Sequence, residues 1–307
     1  MELRDLRYFL AAVEHGSLSA GGRALHAAQP TLSHAIARLE RELGEALLER
    51  PRHRRGGVSP TAAGKRLAQR SRRALAELAG VRGDLAELHG LLAGELTIGS
   101  IQSLNLTLLP GPLARFARRH PRVELRLRTH PGEDLAGELR TGRCDLAFVA
   151  GVPAEASRGC RRRLLEREEF VAIVRRDDTL ARHRRLPLAR LASRPWLSVL
   201  SGTYTRQLLE RACRQAGFTP QVVLELESGE ALRETVRAGF GLTVLPAGYL
   251  RADDPGLVAV QLVQPTPLRE VVALMPADRP ATRVAEAFLA EMVTSGPLPL
   301  MPSTTTR

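Results

Sequence analysis

Leu25-His26-Ala27-Ala28-Gln29-Pro30-Thr31-Leu32-Ser33-His34-Ala35-Ile36-Ala37-Arg38-Leu39-Glu40-Arg41-Glu42-Leu43-Gly44 decides how the first part of this chain folds. Leu32, Ile36, Leu39 and Leu43 follow one another at spacings of four, three and four, the period of one helix face. The spacing predicts a helix from Gln29 to Leu43 that packs inward on that stripe. Its other face carries Gln29, Thr31, Ser33, His34 and Arg38, which are small, polar or basic. Upstream, His26-Ala27-Ala28 reads as a tight connection, and Ser17 as the cap of a short helix reaching Leu25. Before that, Leu6, Phe9, Leu10 and Val13 line one face of a first helix closed by His15-Gly16. Two short helices joined by a tight turn form the minimal helix-turn-helix unit.

Downstream, Leu47 to Ser59 is extended, glycine-containing and basic, and reads as a hairpin wing beside the helices. Arg50, Arg52, Arg54 and Arg55 open a run to Arg73 that holds nine Lys or Arg residues and no acid. Pro60-Thr61 then starts a long helix. Along it Leu67, Ser71, Ala74, Leu78, Val81, Leu85, Leu88 and Leu92 alternate by four and three, a heptad seam of the kind that pairs helices. Gly80 and Gly83 lie within it, each costing about 1 kcal/mol relative to alanine.

From Gly94 the pattern changes. A strand at Glu95–Gly99, a polar loop at Ser100–Asn105, a helix at Leu108–Arg119 and a strand at Val123–Leu127 make a β-α-β unit, which implies a parallel sheet. The unit recurs at Trp196–Leu200, Ser201–Thr205, Gln207–Ala216 and Val222–Leu226. A helix, a glycine and a strand follow both times, at Leu135–Arg140, Gly142 and Asp145–Val149, then at Ala231–Arg237, Gly239 and Leu242–Leu245. Two similar α/β lobes predict a clamshell with a cleft between them.

A formal net charge of +12 over 307 residues favours an anionic partner, nucleic acid first. The second basic run, Arg161 to Arg190, is interrupted by five acids and reads as solvated surface. Cys144, Cys160 and Cys213 have no zinc spacing and form no disulfide framework; an odd count points to a reducing compartment. No secretion segment follows Met1, and no run of 18 apolar residues occurs, so the expectation is a soluble, cytoplasmic protein without cofactor or metal.

The chain resembles the LysR-type transcriptional regulators over about residues 1 to 290. The resemblance rests on Leu25-His26, Gln29 to Ser33, Ile36, Arg38-Leu39-Glu40, Leu43-Gly44, Leu47 to Arg50, Val58, Thr61 and Ala63-Gly64. Gly94 to Gly99, Leu109-Pro110, Phe116, Pro121, Leu125, Leu139, Gly142, Asp145 to Ala147 and Gly239 to Gly241 continue it. It implies an all-α winged helix-turn-helix DNA-binding domain at 1–59 and a linker and dimerisation helix at 60–92. An α/β two-lobed, periplasmic-binding-protein-like effector domain at 93–295 and a disordered Pro- and Thr-rich tail at 296–307 complete the expectation. The chain departs from the family pattern at three places. Gly21-Gly22 replaces two alanines and loosens the second helix, Ser59-Pro60 replaces a polar-leucine pair, and Ala28 replaces a serine cap, a loss of about 1 kcal/mol.

On this reading Gln29, Pro30, Thr31, Ser33, His34 and Arg38 face double-stranded DNA, with Gln29 on an adenine edge and Arg38 on guanine or phosphate. Arg50, Arg52, Arg54 and Arg55 neutralise phosphates. Leu67, Leu78, Val81, Leu85 and Leu88 pair two chains, so an interrupted palindromic operator is expected, read by a homodimer or a pair of dimers. Ser100, Gln102 and Ser103 from one lobe and Ser201, Gly202 and Thr203 from the other would hold a small, anionic effector. Phe148, Val149 and Pro246 would wall it; plain capping is the competing role for the hydroxyls. An enzyme is disfavoured: the chain has no glycine-rich phosphate loop, nucleophile elbow or metal pair. A solute-binding protein fits the lobes but not the helical head. The alternative kept open is a thiol-based redox sensor of the same architecture, with Cys160 among arginines as its thiol.

Overall fold

The computed structural model describes residues 1–49, 57–87, 92–250 and 254–294. The head consists of α1 (Leu3–Glu14), α2 (Leu18–Ala24) and α3 (Gln29–Leu43), followed by the two-residue strands β1 (Leu48–Glu49) and β2 (Ser59–Pro60). Leu6, Phe9, Leu10, Ile36 and Leu39 bury their side chains together with Leu47, Leu48 and Ala68. Leu43 is exposed instead, because α3 ends there at Gly44, which takes a left-handed φ of 69°. Ser17 caps α2 as expected, accepting the Ala20 N–H. The two glycines of α2 do more than loosen it: a Cβ at Gly21 would lie 2.8 Å from the Ala11 backbone, and one at Gly22 2.6 Å from the Ala27 carbonyl. They let the short helix settle against α1 and the turn.

β1 and β2 pair antiparallel, Leu48 with Pro60 and Glu49 with Ser59. α4 (Ala62–Glu87) then runs through Gly80 and Gly83 without a break. Its first turn is held by Thr61, whose Oγ1 accepts from the Gly64 N–H and donates to the Ala46 carbonyl.

The remaining residues build two sheets that share one strand. The first lobe holds β3 (Gly94–Ser100), α5 (Gln102–Thr107), α6 (Pro110–Arg119), β4 (Val123–Thr129), α7 (Leu135–Arg140) and β5 (Leu146–Ala150). The second holds β7 (Arg185–Pro187), β8 (Pro195–Val199), α8 (Tyr204–Gln215), β9 (Gln221–Leu226), α9 (Gly229–Arg237), β10 (Leu242–Pro246) and β11 (Leu257–Val263). The expected repeat is present: β3 lies parallel between β4 and β5, as β8 lies parallel between β9 and β10. The strand expected at Asp145–Val149 is displaced by one residue, and much of the polar loop expected at Ser100–Asn105 is helix α5.

The larger correction concerns β6 (Cys160–Arg175), which falls in the run read as solvated surface. Its first ten residues pair with β12 (Leu268–Pro276) in the first lobe, and Phe170 to Arg175 pair with β10 and β11 in the second. One half is rich in charge and exposed or only partly buried, while the other, Phe170 to Val174, is continuously buried. A strand with two such halves has no single period. β12 and α10 (Arg283–Thr294) return to the first lobe, so that lobe is discontinuous in sequence. Phe288 of α10 packs edge-on against Phe116 and Phe148 at its centre.

Candidate nucleic-acid interface and effector site

α3 starts without a side-chain cap, since Ala28 offers none, and Pro30 stands in its first turn. Pro30, Thr31 and His34 are exposed and Ser33 is half-buried. Together with Arg4, Tyr8 and Arg38, the first three line a groove of about 240 Å³ between α1 and α3. Two of the expected base readers are engaged within the head. The Ser19 hydroxyl donates to Gln29 Oε1 at 2.7 Å, leaving the amide nitrogen as the group free of that bond. Arg38 sends Nε to Asp5 Oδ2 at 2.8 Å and Nη2 to Asp5 Oδ1. Asp5 is 1% exposed, and hydrogen bonding to it raises the Arg38 pKa. Arg50, Arg52, Arg54 and Arg55 lie outside the described residues.

The heptad seam divides. Leu67 packs into the head core, and Ser71 is buried. Leu78 and Val81, further along, are 48% and 50% exposed. Leu92 packs against the first-lobe core, whereas Leu88 and the Leu85 side chain lie outside the described residues.

Where the lobes meet, side chains from both cross. Arg269 of β12 donates Nε to Glu168 Oε2 of β6 at 2.9 Å and Nη1 to the Ser103 hydroxyl of α5 at 3.3 Å. Its guanidinium sits 5.7 Å from the centre of the Phe170 ring, and Phe170 pairs with Pro246 across β6 and β10. Arg269 and Glu168 are 3% and 11% exposed at the side chain, so this ion pair is largely sheltered from water. From the second lobe Tyr204 reaches Gly151, where a Cβ would stand 2.5 Å from the ring. Gly248 packs against Thr107 in the same way, at 2.9 Å, with Glu168 Oε1 at 3.4 Å.

The expected effector residues are distributed unevenly over this junction. Ser103 and Pro246 belong to it. Gln102 is exposed on α5. Ser100 is fully buried, its hydroxyl donating to the Ile101 carbonyl. Phe148 is corrected from cleft wall to lobe core, because alternation along β5 turns its ring toward Phe288. Val149 points to the other face, against Leu135 and Leu139. In the second loop Thr203 caps α8, accepting from the Arg206 N–H, and Gly202 turns the chain at a φ of 84°. The Ser201 N–H donates to Glu225 at 3.4 Å. Arg269, Glu168 and Tyr204 were not singled out from the sequence; two sit on strands whose pairing no short-range pattern announces.

Two family profiles match the chain: the bacterial regulatory helix-turn-helix protein, lysR family, over residues 3–65, and the LysR substrate binding domain over residues 89–296. The chain belongs to the LysR family. It is a DNA-binding transcriptional regulator of that type, not an enzyme. It is 30% identical over 298 residues to the DNA-binding transcriptional dual regulator OxyR of Escherichia coli, covering 95% of this chain and 96% of that one. It is equally 30% identical to the transcriptional dual regulator GltC of Bacillus subtilis over 289 residues, covering 94% and 95%. Among solved structures, a full-length OxyR variant from Pseudomonas aeruginosa shares the fold at a TM-score of 0.73 and 24% identity, covering 95% of this chain and 98% of that one.

Burial favours the neutral form of the thiols in this LysR-type regulator. Burial raises the pKa of Cys144, and it pushes that of Cys213 up to about 12. Cys160 is half-buried, and its pKa too is raised by burial, against the lowering pull of Arg140. Among the described residues no group of three or more His, Cys, Asp or Glu side chains is placed to hold a metal, and no helix is long and apolar enough to cross a membrane.

Proposed function

We propose that this regulator is an oligomer whose α3 enters the major groove of an interrupted palindromic operator, and whose occupancy responds to a small anion bound at the lobe junction. The observation that carries the second half is the Arg269–Glu168–Ser103 arrangement. Arg269 already holds one carboxylate in a sheltered place, with a hydroxyl beside it and the Phe170 ring beneath. An effector carboxylate competes with Glu168 for the same guanidinium and takes the Ser103 hydroxyl as a second donor. Glu168 lies against Gly248 of the second lobe, so displacing it alters how the lobes seat. Only such differential binding to two lobe arrangements shifts a population.

On the DNA side, Thr31, Ser33 and His34 approach base edges, the β1–β2 pair belongs to the wing, and Arg50, Arg52, Arg54 and Arg55 neutralise phosphates. Leu78 and Val81 supply the contact between two chains. The test is a thermal-shift screen of small mono- and dicarboxylates on the full chain, followed by DNA retardation with any hit. A shift that disappears in Ser103→Ala, in a variant that melts normally, supports the site. A shift untouched by Ser103→Ala places the effector elsewhere.

A peroxide-responsive reading is raised by the relatives whose names call them hydrogen peroxide-inducible genes activators. The thiols argue against it, since a peroxide sensor needs an accessible, low-pKa sulfur and all three here are shifted the other way. DNA binding that changes with peroxide in the native protein, and no longer does in Cys160→Ser, would establish the redox reading instead.

A further inference from the structure

We infer that Arg38 is a positioning residue for DNA recognition: clamped by Asp5, it sets the rotation of α3 about its own axis and touches neither base nor phosphate itself. This rests on α3 being the reading helix. Asp5 lies in the first turn of α1, and its carboxylate is buried in the seam between α1 and α3. A carboxylate removed from water needs a charged, hydrogen-bonding partner, and Arg38 fills both oxygens with one planar fork. For Arg38 to leave and meet a guanine or a phosphate, Asp5 would be stranded.

The fork does what the apolar contacts of α3 cannot. Leu32, Ile36 and Leu39 set how deeply the helix beds, but apolar contact is non-directional and tolerates a small roll. A two-pronged ion pair off the helix axis does not. The start of α3 has no side-chain cap, so its orientation depends on contacts with other helices: Ser19 on Gln29 and Asp5 on Arg38. Thr31, His34 and Arg38 line one groove. With side chains standing about 5 Å from the axis, a roll of about 10° displaces Thr31 or His34 by about 1 Å, enough to spoil a hydrogen bond to a base edge.

The experiment uses the full chain and two DNA probes. One is a duplex selected by the wild-type protein from a random pool, and the other a random-sequence duplex of equal length. Affinities are measured by anisotropy over a series of salt concentrations, well below the melting temperature of each variant. Asp5→Asn and Arg38→Ala are each expected to lower the ratio of selected to random affinity about tenfold. The log–log salt slope of Arg38→Ala should equal that of wild type, because no phosphate contact is lost. That of Asp5→Asn should rise by up to about one unit as the released guanidinium joins the backbone contacts. A role in stability alone would move the melting temperature and neither readout. A slope that falls by about one unit in Arg38→Ala, or an unchanged affinity ratio in either variant, overturns the assignment. If Arg38→Ala does not fold, the near-isosteric Asp5→Asn decides by its ratio. A wild-type protein that selects no duplex at all overturns the reading helix itself, which separates that failure from this one.

Discussion

Arg73 of α4 and Asp278, in the turn between β12 and α10, meet at 2.6 Å, so the helix that leaves the DNA-binding head is tied to the first lobe. The same guanidinium donates to the Arg140 carbonyl at 2.9 Å, and Gln69 donates to that carbonyl at 3.3 Å. Arg72 beside it is nearly buried and pairs with Glu14 of α1, so head, stalk and lobe share one polar seam. Burial lowers the Arg72 pKa.

The Arg73–Asp278 pair is partly exposed, at 26% and 45%. Partly exposed ion pairs contribute about 0–1 kcal/mol, so Asp278→Asn should leave the denaturation midpoint nearly unchanged. What should change is geometry. Spin labels placed on α3 and α6 are expected to give a broader distance distribution in Asp278→Asn than in wild type. An unaltered distribution would show that the seam does not hold the head in place.

Leu78 and Val81 carry the prediction for assembly. Large apolar side chains half-exposed at successive heptad positions find burial only against another surface. The double variant Leu78→Glu, Val81→Glu should weaken the dimer by at least about a hundredfold, since each fully buried aliphatic contributes about 1.5–3 kcal/mol. Light scattering across a dilution series reads this directly. The thermal unfolding of the lobes should be unaffected, because neither side chain belongs to their cores.

At the lobe junction, Gly151 has a φ of 70°, and the Tyr204 ring occupies the place of its Cβ. Gly151→Ala therefore meets both backbone strain and a clash and is expected to cost about 1–3 kcal/mol. Tyr204→Ala removes the clash. The double variant should regain the part of the loss that the clash caused, while the part due to φ persists. Complete additivity of the two changes in a mutant cycle would mean that the residues do not meet in solution.

These elements also indicate what was legible in the sequence. Where one period governs a segment the residues announced it: Ile36 and Leu39 in α3, and the repeated unit of β3 to β5 and β8 to β10. Where a segment serves two environments they did not. Leu67 and Leu78 share one heptad seam, yet one faces the head core and the other solvent. β6 belongs to two sheets and so carries two patterns in one strand. The site followed the same division. Ser103, read from the polar loop after a strand, lies at the lobe junction, whereas Arg269 and Glu168 are brought together only by the β6–β12 pairing, 101 residues apart.

A pH dependence follows from Asp254. Arg237 grips its carboxylate with both Nη1 and Nη2, at 2.9 and 2.8 Å, and the N–H groups of Gly256 and Leu257 donate to it at 3.1 Å each. Those bonds favour the ionised form, Arg237 foremost, and hold the pKa at about 2. An acid whose folded pKa is depressed binds its proton more readily in the unfolded chain, so its contribution is complete above the unfolded value, near 4. It disappears as pH falls through 2. Asp254→Asn should then cost about 1–2 kcal/mol at neutral pH, allowing for the solvent around Arg237, and progressively less between pH 4 and pH 2. Denaturant titrations of the two proteins over that interval check it: the wild-type and variant stabilities should converge at the acid end. A gap that stays constant with pH would assign the loss to packing and remove the ionisation from the account.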